Sequence, residues 1–123
     1  MHEKTEYEER KKFEDNFNAS YLNNITLNAI KKHFGLDKIK ELTEVLLVQI
    51  QIKIQERVLA GQCTLAIPKP SILNYMPYEK LEIPEEMALT VFKLEMRKRG
   101  FQVTWNDMFV HCDPKLYIFY IDW

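Results

Sequence analysis

Residues 37–61 read DKIKELTEVLLVQIQIKIQERVLAG. Asp37 is a candidate N-cap and no proline or glycine follows before Gly61, so residues 37–60 read as the longest helix of the chain. Its apolar positions do not form one stripe. Ile39, Leu42, Leu46, Ile50 and Ile54 line one side, while Val45, Val48, Ile52 and Leu59 line nearly the opposite side. A helix with two apolar stripes is expected to be covered on both, either sandwiched within its domain or shared with another subunit. A strand competes for the middle of the run. Val48-Gln49-Ile50-Gln51-Ile52-Lys53-Ile54-Gln55 alternates with period two and is rich in β-branched residues, which leaves 46–54 open between the two readings. The length of the run and its Ala60-Gly61 end favour the helix.

On the N-terminal side, residues 20–34 read as a shorter helix. Leu22, Ile25, Ala29 and His33 share one face, Ile30 and Phe34 flank it, Ser20 or Asn24 is the candidate cap, and Gly35 ends it. Residues 1–15 carry six acidic side chains and four basic ones. They read as a solvated helical arm with i,i+4 pairs such as Glu6–Arg10 and Glu8–Lys12, and residues 1–19 as an appendage of a single domain spanning 1–123.

On the C-terminal side, residues 62–67 read as a short strand with Cys63, Leu65 and Ile67 on one face. Residues 68–83, with Pro84 at their end, hold four of the five prolines and read as an irregular cover carrying Tyr75, Met76 and Tyr78. Residues 84–99 form a helix with Glu85 and Glu86 at its positive end and Arg97, Lys98 and Arg99 at its negative end. Met87, Val91 and Leu94 make its buried face, widened by Ala88 and Phe92, and Gly100 terminates it. Phe101, Val103 and Trp105 alternate with polar residues as a half-buried strand. Leu116 to Trp123 is apolar on both faces, the pattern of a strand central in its sheet or covered by a partner, whereas 108–112 stays open between strand and connection. The chain is expected to be α+β: a helical N-terminal half, then a small, mainly antiparallel sheet with one further helix packed on it.

The composition excludes several chemistries. The three glycines, Gly35, Gly61 and Gly100, lie far apart, so no glycine-rich phosphate cradle exists. Seventeen basic against eighteen acidic side chains lack the excess that a duplex-binding domain carries. The charged start has no signal-like apolar core, no stretch is long enough to span a membrane, and two cysteines make no disulfide framework. A cytoplasmic chain with reduced thiols is the expectation. Cys63, His111 and Cys112 would meet if their strands paired, but adjacent His111 and Cys112 point to opposite faces and a fourth ligand is missing, so no metal site is assigned. Nor is a cofactor or a catalytic residue. Asp122, between Ile121 and Trp123, is the one carboxylate set in an apolar stretch. The C-terminal aromatics could stack on bases, yet Lys115 is the only nearby cation in sequence.

One resemblance carries further. A helix ending in Ala60-Gly61, a short strand, a second helix ending in Gly100 before Phe101 and Val103, and a closing Ile121-Asp122-Trp123 strand resemble the layout of small uncharacterised tailed-bacteriophage proteins across residues 54–123. The resemblance implies no catalytic residues and suggests a phage or prophage accessory protein acting through protein contacts, as host-takeover or anti-defence inhibitors do. The expected contacts are Tyr75, Met76, Tyr78, Tyr117, Phe119 and Trp123, with self-association through helix 37–60 as a second route. The alternatives are a nucleic-acid-binding regulator using Lys93, Arg97, Lys98 and Arg99, and a small virion or assembly component.

Overall fold

The computed structural model describes residues 8, 10–11, 18–106 and 117–123. The expectations for the Glu6–Arg10 and Glu8–Lys12 pairs, the 108–112 segment, His111, Cys112 and Lys115 lie outside the described residues. The described elements run α1 (Ala19–Phe34), α2 (Leu36–Leu59), β1 (Thr64–Pro68), α3 (Lys69–Asn74), α4 (Glu85–Lys98), β2 (Gln102–Trp105) and β3 (Ile118–Asp122). The fold is α+β, with a helical N-terminal half and a small antiparallel sheet.

Residues 46–54 are helical throughout, so the period-two alternation does not make a strand there. Alternation alone cannot outweigh an uninterrupted run of more than six turns with its other face seated in a core. Gly35 is the whole joint between α1 and α2. Its N–H donates to Lys31 O at 2.9 Å and closes α1, while its C=O accepts from Ile39 N at 3.2 Å and opens α2. The backbone turns there at φ +98°, ψ 137°, a region nearly closed to residues with a side chain. Gly35, not Asp37, is thus the N-cap of α2, and Asp37 instead places its charge in the first turn.

The sheet order is β1-β3-β2, with both pairs antiparallel. β3 is central, as its doubly apolar sequence implies. Leu65 and Ile67, Val103, and Phe119 and Ile121 form the buried face, which joins α2 and α4 in one core with Leu42, Leu46, Ile50, Val91 and Phe92. Phe92 and Phe119 meet edge-to-face at 5.4 Å in its middle. On the opposite face Ile118 and Tyr120 are only half-buried, and Thr64, Ala66, Gln102 and Thr104 beside them are exposed.

Four local readings are corrected. The buried face of α1 is Leu27 and Ile30, whereas Ile25, Ala29 and His33 are exposed, because α1 packs on α4 and α2 through the neighbouring stripe. Its cap is Asn18, whose Oδ1 accepts from Tyr21 N at 2.9 Å. Cys63 precedes β1 and is exposed rather than part of the core. Residues 68–83 are not wholly irregular: Pro68 is the N-cap of α3 and Pro70 lies in its first turn, where the missing N–H costs nothing. Ile72, Met76, Leu81 and Ile83 from this segment are buried, so it does act as a cover.

Gly35→Ala meets no steric obstacle, since a Cβ there has nothing within 4 Å. Its effect is the backbone conformation alone, an expected loss of about 1–3 kcal/mol in urea unfolding. A neutral result would show that the joint relaxes to another conformation.

Candidate functional site

The two stripes of α2 have opposite fates. Ile39, Leu42, Leu46 and Ile50 are at most 1% exposed, while Val45, Val48, Ile52 and Leu59 are 52%, 53%, 45% and 83% exposed. Scattered exposed apolar side chains are ordinary. These are not scattered: positions 45, 52 and 59 recur every seven residues and 48 falls three after 45, the a/d spacing of a helix–helix seam. The side chains bordering its middle are Gln49, Gln51 and Gln55, which are polar and uncharged. Charge returns toward the ends, with Lys38, Glu41 and Glu44 before the seam and Glu56 after Ile52. An apolar line rimmed by neutral polar groups has the charge-poor character of an interface centre. Beyond Gln51, α2 borders a cleft of about 300 Å³ whose apolar walls include Leu47, Ile54, Met96 and Phe101, with Arg99 on its rim.

The residues expected to make contacts do not form one patch. Met76 is 3% exposed and Phe119 fully buried, so both serve the core. Tyr75 and Tyr78 are half-buried against it. Partial burial, followed by the carboxylates of Glu79 and Glu85, raises the Tyr78 phenol above its ordinary 10.0. The Tyr117 ring lies 5.1 Å from Phe119 and under the Lys69 ammonium at 5.5 Å. Trp123 is 40% exposed and stands edge-on to Phe101 at 6.4 Å.

The basic set is largely engaged. Lys93 sits over the Trp105 ring at 3.9 Å and near Phe119, so a cation does accompany the aromatics, one that strand composition could not reveal. Arg97 Nη2 donates to Val103 O at 3.3 Å, tying the end of α4 to β2. Arg99 Nη1 donates to Glu95 Oε2 at 2.6 Å and to Glu95 O at 2.8 Å. Lys98 is exposed.

Glu95 is the charged group that sequence reading missed. It is 5% exposed, paired with Lys31 of α1 at 3.3 Å and with Arg99 at 2.6 Å. Burial alone would push its carboxyl up. Hydrogen bonds and charge from Arg99 and Lys31 outweigh burial and hold it below its ordinary 4.5. Glu95 therefore clips α1 to α4, a structural role. Asp122 is half-buried, on the half-open face of the sheet.

Among the described residues no group of three His, Cys, Asp or Glu side chains is placed to hold a metal ion. No described helix is long and apolar enough to cross a membrane. No protein-family model, no curated protein and no solved structure matches the chain.

Because the folded-state carboxyl of Glu95 is lowered, its contribution to stability is present above about pH 4.5 and is lost as pH falls through the folded-state value. Glu95→Gln is expected to cost about 1–2 kcal/mol at neutral pH. The gap to wild type should close as pH falls below about 4.5 in urea titrations. A gap that is constant or widens in acid contradicts the ion-pair assignment.

Proposed function

We propose that this chain is a non-catalytic protein-docking domain and that the outer face of α2 is its contact surface. One observation carries the reading: a heptad-spaced apolar line, Val45, Val48, Ile52 and Leu59, stands exposed on a helix whose opposite face is fully seated in the core. The seated face holds α2 as a helix without help from a partner, so the outer line is presented ready-made and little ordering entropy opposes binding. A partner helix is the complement that a/d spacing accepts.

The resemblance of residues 54–123 to tailed-bacteriophage proteins accords with this reading. It directs the search toward proteins of the phage or its host, where a small domain acts by covering another polypeptide's surface. Tyr75, Tyr78 and Trp123 would then be peripheral contacts, since each keeps part of its ring in solvent.

The test is a paired comparison. Val48→Glu combined with Ile52→Glu replaces two exposed side chains on a helix, and its melting temperature is expected to stay close to wild type, within about 0.5 kcal/mol for each change. Leu46→Ala, one residue from the seam but fully buried, is expected to lose about 2–5 kcal/mol. Immobilised wild-type chain should retain a stoichiometric polypeptide, either a different chain or a second copy, and the double variant should lose it. Equal retention by both, or none by either, overturns the docking reading.

A further inference from the structure

The geometry points to a second copy of this chain as the occupant of the α2 seam, lying antiparallel across a two-fold axis that passes between Val48 and Ile52. The inference rests on the docking reading and goes further by naming the partner.

At a two-fold axis every residue near the axis meets its own copy, so like charges there repel and self-complementary groups are tolerated. Between Val45 and Gln55 the outer side of α2 carries no charge (Val45, Val48, Gln49, Gln51, Ile52 and Gln55), and Glu44 and Glu56 bound it. A side-chain amide holds both donor and acceptor, so it can pair with its own copy, which a carboxylate or an ammonium cannot do.

Antiparallel placement centred at residue 50 sets Val48 against Ile52 of the second copy and Val45 against Gln55. It sets Gln49 and Gln51 each beside its own copy, and Glu41 against the second copy's Leu59. Parallel, in-register pairing would instead place Glu41 on Glu41 and Lys38 on Lys38 within the seam itself; the antiparallel arrangement avoids both and leaves one like-charge level pair, Glu44 with the second copy's Glu56, at the margins of the seam. Opposed helix dipoles favour the same direction.

The size is adequate for a reversible dimer. α2 spans Leu36–Leu59, and centred at residue 50 the two copies overlap over residues 41–59, a length of about 28 Å. Such a contact buries on the order of 1,000 Å² in total, the size of a weak, reversible interface, which corresponds to micromolar rather than nanomolar association.

Sedimentation equilibrium from about 1 to 200 µM tests this directly. The expected result is a monomer of 14.8 kDa passing to twice that mass with a micromolar midpoint. Ile52→Glu should weaken the association by roughly 100-fold or more with an unchanged melting temperature.

The direction is read separately in a Cys63→Ser, Cys112→Ser background with a short bismaleimide. Gln51→Cys should cross-link to its own copy, because the two positions lie within about 3 Å along the shared axis. Leu59→Cys should not, because its copies lie about 27 Å apart. A wild-type chain that stays monomeric throughout, or cross-linking at position 59 and not at 51, overturns the inference. The docking reading survives the first of these outcomes if a different polypeptide is still retained in a seam-dependent manner, so the two failures are distinguishable.

Discussion

A single helix has two sides, and a three-stranded sheet can cover only one of them. That constraint on α2 organises the molecule. Ile39, Leu42, Leu46 and Ile50 are drawn into the core shared with the sheet and α4. The geometry of a 3.6-residue helix then turns Val45, Val48 and Ile52 to solvent whatever their polarity. Among the described residues no further helix covers the outer side of α2, because α1 packs on α4 and α2 instead. The exposed seam is a consequence of how this small core is built.

The remainder of the fold holds α2 in that position. Gly35 lets α1 turn away after one residue, and the Lys31–Glu95–Arg99 cluster ties α1 to α4. Arg97 reaches Val103 O, and Lys93 lies on Trp105, so the basic end of α4 secures β2 against the helix. These cations serve cohesion before they serve any ligand. The short helix α3 and the turns after it close the other end of the core with Ile72, Met76, Leu81 and Ile83. Such a scaffold holds α2 with one apolar stripe in the core and the other exposed.

Much of this was legible in the order of residues. Gly35, Gly61 and Gly100 mark the helix ends, and all three have positive φ. The apolar Leu116–Trp123 run points to the central strand, and β3 does lie between β1 and β2; its second face, Ile118 and Tyr120, is only half-buried. The two stripes of α2 were also visible; their unequal fates were not, since periodicity states that a face is apolar and not what covers it.

For the same reason the spacing in α1 points to Leu22, Ile25, Ala29 and His33 with Ile30 beside them, where the structure buries Leu27 and Ile30. Both sets have helical spacing, and the choice between them is made by where α4 docks. Glu95 was hidden because its i,i+4 pairing with Arg99 looks solvent-exposed in sequence, while the partner that buries it, Lys31, comes from a distant helix. The line at 45, 48, 52 and 59 is legible in the sequence as the second stripe, while the overlapping period-two pattern from Val48 to Gln55 kept a strand in competition with it.

The central claim is that the two apolar stripes of α2 differ in kind, one a core and the other a contact line. Methyl NMR with a soluble paramagnetic probe reads this residue by residue. At high dilution the methyls of Val45, Val48 and Ile52 should be strongly broadened and those of Leu42, Leu46 and Ile50 unaffected. Raising the protein concentration should protect the first set and leave the second unchanged. Protection of Val45, Val48 and Ile52 at high dilution would contradict the account, because it would mean that the chain covers its own seam.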